Sequence, residues 1–360
     1  MNQKETEQKL RLSTRIKGAL FPWKWTFFGF LCFVIAKILS NTPEFTEVVY
    51  RNGLFWLLRW AKDTLFSWLP IPLMLLIFLG MAFLFIRNWK SRKLFGFKPW
   101  YRGIMNLLGF VVVWFYVFWG WNYSAVGIAD KLGYADAAAP DTTITNSLAA
   151  IASEKALALR PQCDTARFFT KEVSPSELSA IHSSVREYLR SADVLTPGNV
   201  QMRVVSKSGW MRRVGISGIY MPFSAEAHTD GSYYALTQWF TLAHEYAHGY
   251  GITDEGECNF IAFMALVNSD VAELEYSAWH TLWMRLNPWD QSDSTVVMNP
   301  LYYDRLALRE DAKKYPSFAP GLAATSNNLY LKSQGVEKGI QSYNGWVDLV
   351  TLLWEDGQVE

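Results

Sequence analysis

Residues 241–263 read TLAHEYAHGYGITDEGECNFIAF. His244 and His248 stand four apart, so on a helix they project from one face, one turn apart, as two ligands of a tetrahedral metal require. Glu245, between them, lies close enough to take a proton from an activated water without occupying the metal. Two imidazoles and a nearby carboxylate in this HExxH spacing predict Zn²⁺ as cofactor and hydrolysis as the chemistry, with Glu245 as general base. The preceding ALTQWFTLA reads as a buried helix, and Gly249 and Gly251 are placed to end it through a left-handed turn.

A third ligand must come from Asp254, Glu255 or Glu257, all just past the glycine turn. If Asp254 is the N-cap of the next helix, Glu257 falls at its third position and the pair makes a capping box. Glu255, at the first position, is left free. Asn259 is four residues further on, so Glu255 and Asn259 share a face of a helix that returns along the first. This favours Glu255 on the metal, with Asn259 supporting the outer nitrogen of His244; Glu257 and Asp254 remain the alternatives.

These residues need a scaffold. Past Asn122 the composition turns to ADAAAPDTTIT, a linker over 123–145, and residues 146–360 are enough for one domain with its own core. Helices are expected at Asn146–Leu159 and Ser174–Ala192, the latter opened by a Ser174/Glu177 capping box. Strands are expected at Gln201–Ser206 and Arg212–Pro222, the second broken by glycines and suited to pairing with an extended peptide at its edge. Candidate substrate or oxyanion donors, none of them placed by spacing, are Tyr220, Tyr276, His280, Tyr302, Tyr303 and Tyr343. A small sheet beside a mostly helical body is α+β.

The charge is split along the chain. Residues 1–122 carry a net +11 and residues 123–360 a net −10, with ten of the seventeen tryptophans in the first part. Three apolar stretches there, at about 25–40, 65–86 and 104–121, read as a bundle of transmembrane helices, since crossing takes about 20 residues. Lysine and arginine cluster before the first stretch (Lys4 to Lys24) and between the second and third (Arg87 to Arg102), so the amino terminus is expected in the cytoplasm and residues 123–360 outside it. Within the first loop, FWLLRWAKDTLF is amphipathic and suits a surface helix or the lead-in to the second span. Nothing supports nucleic-acid binding, which needs a basic face outside the membrane. The three cysteines set no disulfide framework.

HEYAH followed by DEGECNF resembles the glutamate-zincin (gluzincin) pattern, in which HExxH is completed by Glu-x-x-x-Asp/Asn on a following helix. Through GIYMPFSAEAHTD, HEYAHGYGITDEGECNFIAF, YSAW and NNLYLKSQGVEKGIQSYNGWVDLV, nearly the whole chain is similar to a bacterial family of uncharacterised membrane proteins with several amino-terminal spans and a zincin-like domain of unknown function. The resemblance implies an α+β zincin-like domain behind the membrane helices. The expectation is a membrane-anchored zinc metallopeptidase acting on a peptide or protein substrate at the outer face of the cytoplasmic membrane. The alternative is a non-catalytic, metal-stabilised binding or sensor domain.

Overall fold

The computed structural model describes residues 23–95, 97–206, 208–288, 299–318, 321–334, 336 and 345–358. The chain divides into two units: residues 1–58, 68–125 and 222–224 make the first, and residues 59–67, 126–221 and 225–360 the second. The boundary differs from the sequence expectation in that residues 59–67 belong with the second unit.

In the first unit, helix α1 (Lys24–Leu39) packs on helix α4 (Phe97–Phe118), and α3 (Leu73–Phe95) packs on α4 as well. Two glycines let α1 and α4 cross closely: a Cβ on Gly29 would lie 2.9 Å from Gly109 O, and one on Gly109 would lie 2.3 Å from Trp25 O. Asn106 Oδ1 accepts from the Trp25 and Thr26 amides, satisfying donors that the start of α1 leaves free.

Among the described residues, one helix, Trp100–Phe118, is long and apolar enough to cross a membrane, where three were expected. The other two stretches fall short for separate reasons. Helix α1 has 16 residues, about 24 Å of rise against a hydrocarbon core of about 30 Å. The stretch from Leu65 is interrupted at residues 67–72, around Pro70 and Pro72, so α3 starts at Leu73 and its apolar part ends at Arg87.

The second unit is mostly helical with a three-stranded sheet. It opens with the larger part of helix α2 (Trp56–Phe66). The expected linker carries structure, including a turn of helix at Ile128–Lys131 and the start of α5 (Thr142–Leu159). In α6 (Pro175–Ser191), Ser174 Oγ accepts from the Glu177 amide while Glu177 accepts from the Ser174 amide, closing the capping box. Strand β1 (Gln201–Ser206) stands where it was expected, but β2 is only Gly218–Met221, because residues 210–213 wind into a helical turn. A third strand, β3 (Glu226–Asp230), lies between them, parallel to β1 and antiparallel to β2, with Tyr220 opposite Ala227.

Helices α7 (Ala235–Gly249) and α8 (Glu255–Val267) follow, then α9 (Ala272–Leu286), α10 (Pro300–Lys313), α11 (Leu322–Ser333) and α12 (Gly345–Glu355). Helix α7 is the centre of the unit, packed on β2 and β3 on one side and on α6, α8 and α9 on others. Trp239, Phe260, Phe263, Tyr276 and Trp279 fill the core around it.

Candidate metal centre

The site is built on the hairpin of α7 and α8. Helix α7 ends where it does for a local reason: a Cβ on Gly249 would lie 2.6 Å from Val200 Cγ1, and Gly251 takes a positive φ of 89°. The turn brings the Ile252 carbonyl under His248. Asp254 then caps α8 by accepting from the Glu257 amide at 3.0 Å, which puts Glu255 on the first turn, where the helix dipole favours a carboxylate.

His248 Nδ1 lies 2.8 Å from Ile252 O, and His244 Nδ1 lies 2.9 Å from Asn259 Oδ1. Oxygens of a carbonyl and a carboxamide can only accept, so both rings carry their proton on Nδ1 and present the Nε2 lone pair. Each Nε2 faces the same atom, Glu255 Oε2, at 3.1 Å from His244 and 3.2 Å from His248. With neutral imidazoles these are three acceptors that cannot bond one another, so the group calls for positive charge between them. That charge is either a metal cation or the second proton that His248 takes when Cys258 and Glu255 outweigh its burial and drive it well above the ordinary imidazole value. The spacing suits a metal: two ligand atoms about 2.05 Å from a tetrahedral zinc stand about 3.3 Å apart. Against burial, which acts the other way, protonated histidines donating from Nε2 hold the Glu255 carboxyl well below the usual carboxylate range, the role a metal cation would take over.

Cys258, three residues after Glu255 and so on the same side of α8, lies behind His248 with Sγ 3.3 Å from Nδ1. His244, His248 and Cys258 form a buried cluster that could hold a metal ion, their ligand atoms all within 4.8 Å of one another. Burial pushes the Cys258 thiol up to about 12, so it stays protonated, and it backs the His248 ring from the Nδ1 side. The i, i+3 offset from Glu255 is the sequence signal that would have found it.

Glu245 is buried beside this group. Its Oε2 has no hydrogen-bond partner, and burial, opposed by the two histidines, pushes the carboxyl up to about 7. On its other side stands β2: a Cβ on Gly218 would lie 2.6 Å from Glu245 Oε1 and 2.8 Å from Thr241 Cγ2, so only glycine lets the strand pass this close.

The remaining candidates stand elsewhere. Glu257 Oε1 accepts from the Ala129 amide at 3.1 Å. The Tyr220 hydroxyl accepts from Arg59 Nη1 at 3.1 Å. Tyr276 donates to Asp304, stacks on Phe168 and has His280 stacked against it, and His280 is fully buried and driven down to about 4 by that burial. Tyr302 packs edge-on against Trp283, and Tyr303 is exposed. Tyr343 lies outside the described residues.

No curated protein and no solved structure matches the chain. A family model described as "Protein of unknown function (DUF3810)" matches residues 50–351, and the chain belongs to that family.

Proposed function

We propose that the chain is a membrane-anchored zinc peptidase whose second unit is a zincin-like domain. In this reading His244, His248 and Glu255 hold Zn²⁺, and Glu245 is the general base in hydrolysis of a peptide or protein substrate. The observation that carries it is the buried, unpartnered Oε2 of Glu245 beside three converging acceptors. A metal site of purely structural duty has no use for a second carboxylate with a buried, unpartnered oxygen. When bound, zinc supplies Lewis acidity, acidifying a water and polarising the scissile carbonyl.

The chain's own groups do the rest. Glu245 takes the proton of the attacking water on Oε2 and returns it to the leaving amine. Asn259 and the Ile252 carbonyl hold the Nδ1 protons, which keeps both Nε2 lone pairs aimed inward. Strand β2 is an edge of the sheet, and Gly218 keeps that edge in contact with Glu245, so an extended peptide laid along it would present a carbonyl to the base. Helix Trp100–Phe118 anchors the chain, with α1 and α3 packed against it. The lysine and arginine bias places the amino terminus in the cytoplasm and the second unit outside.

The test is to purify the full chain, measure bound metal, and compare cleavage of a peptide library with that of Glu245→Gln. Stoichiometric zinc with cleavage by the parent alone is expected. Stoichiometric zinc with no cleavage by either form would instead favour the non-catalytic sensor domain.

A further inference from the structure

Helix α2 has the wrong sidedness for water. Arg59, Lys62 and Asp63 are buried, while Trp60 is 48% exposed, Leu65 61% and Phe66 39%. The neighbouring Leu57 and Trp68 are exposed at 51% and 72%, and no exposed residue between Leu57 and Ile71 is charged. The inward face is specific. Arg59 donates to Asp63 Oδ2 at 3.0 Å, to the Tyr220 hydroxyl and to the Gly249 carbonyl; Lys62 donates to Asp63 Oδ1 and the Ala225 carbonyl; Asp63 accepts from the Asn199 amide at 2.8 Å. Turning the helix over would strand these charges, so the polar contacts fix which face looks out.

Aromatic and leucine side chains left together in water on one face forgo the free energy of burial, so this face calls for a cover. Three observations select lipid over a protein partner. The exposed residues from Leu57 to Ile71 include no charged side chain, whereas the accessible margin of a protein interface is polar. Trp60 and Trp68 suit the headgroup boundary, where an indole buries its ring and keeps its N–H wet. The same chain leaves the apolar window of helix Trp100–Phe118 only 11% buried, as a helix that faces hydrocarbon would be.

We propose that α2 lies in the membrane–water interface with Trp60, Leu65 and Phe66 sunk about 5–10 Å into the headgroup and acyl boundary. The placement of α2 rests on the membrane reading above and is independent of the catalytic one, whereas the substrate class that follows from it rests on both. Its inward face grips the carbonyl of Gly249, the residue after His248, so the metal centre stands roughly one helix diameter, about 10–12 Å, from that surface. The substrate class that such a site meets is polypeptide lying on the bilayer or emerging from it.

The experiment is nitroxide labelling of the full chain in vesicles of three parts zwitterionic to one part anionic phospholipid. Single cysteines at 60, 65, 108 and 154 are introduced into Cys163→Ser, keeping the buried Cys32 and Cys258, and relaxation by oxygen is compared with relaxation by a water-soluble nickel chelate. Thermal melting confirms the fold of each variant, and the two α2 sites serve as replicates should one be unstable. Labels at 60 and 65 are expected to favour oxygen, as at 108 in the candidate span, while the label on exposed residue 154 favours nickel. Nickel preference at 60 and 65 with oxygen preference at 108 overturns the placement of α2 and leaves the membrane reading standing. Nickel preference at 108 too overturns both. Spin–spin broadening at 60 and 65 that vanishes on dilution with unlabelled protein assigns the face to a second copy and overturns the proposal.

Discussion

In α2, the buried Arg59 and Lys62 meet a carboxylate, Asp63, within 3.0 Å, and the Gly249 and Ala225 carbonyls accept from them as well, with Arg59 Nη2 left over. In the α7–α8 hairpin, the buried groups that meet are all acceptors, His244 Nε2, His248 Nε2 and Glu255 Oε2, with the unpaired Glu245 Oε2 beside them. Both regions hold ionisable side chains out of water at considerable cost. In the first, one carboxylate shared by two cations offsets part of that cost, the remainder showing in Lys62, which burial and Arg59 push down to about 8, and the result is attachment. In the second, like acceptors are held together by other contacts and the result is a place for positive charge, a proton on His248 or a metal cation. Buried charge that meets its opposite therefore reads as structure, and acceptors that converge on one another as chemistry.

The sharpest way to break this contrast is to remove an acceptor. His244→Ala or Glu255→Ala should lose bound zinc and all hydrolysis, whereas Glu257→Ala, whose carboxylate serves the Ala129 amide, should keep both. Metal content and peptide cleavage measured side by side decide it; zinc retained by Glu255→Ala and lost by Glu257→Ala would mean that the convergence is not the metal site. Glu245→Gln comes next, with zinc retained and the rate down about 10²- to 10⁴-fold, the range for removing a general base.

In α2 the same kind of change should act on stability instead. Arg59→Met leaves Asp63 buried beside Lys62 and the Asn199 amide, and breaking a buried pair from one side costs about 3–5 kcal/mol. Arg59→Met combined with Asp63→Leu should recover part of that loss. Denaturant unfolding of the zinc-loaded full chain measures both. A double variant less stable than the single one would show that the helix is held by something other than the matched charges.

How much of this was legible in the sequence follows from the same contrast. Two histidines one turn apart and a carboxylate placed by an N-cap are local features, and the i, i+4 offset that joined Glu255 to Asn259 put both beside His244. Strand β3 gave no signal, because EAHTD has no apolar alternation although every one of its residues is buried. Its burial is set by neighbours on both sides of the sheet, which are not local. Helix α2 read as amphipathic, but a hydrophobic pattern does not say which face looks inward when lipid is an alternative to a core. Tyr276 and His280 were of the right type for oxyanion donors, and only the fold shows them packed with Asp304 and Phe168 in the core. The stretch from Leu65 met a length criterion that the break at residues 67–72 removes.

The smallest effect is the most specific to the unmatched site. Metal-free Glu245 ionises at about 7 in the folded chain, raised from an ordinary 4.5 by burial. Below pH 4.5 the carboxyl is protonated in both folded and unfolded chains and leaves the balance unchanged. Between 4.5 and 7 the unfolded chain gives up the proton while the folded chain keeps it, so stability falls as pH rises, by at most about 3 kcal/mol at 1.36 kcal/mol per pH unit. Above 7 both forms are ionised and the loss is constant. The metal-free chain should therefore be less stable at pH 8 than at pH 5, and the difference between it and metal-free Glu245→Gln isolates this group from every other titration. Loading zinc should shrink that difference, because a cation beside the carboxylate favours its ionised form. Parallel pH profiles for the parent and Glu245→Gln would mean that Glu245 is not held unmatched, and the distinction between the hairpin and α2 would then rest on the three acceptors alone.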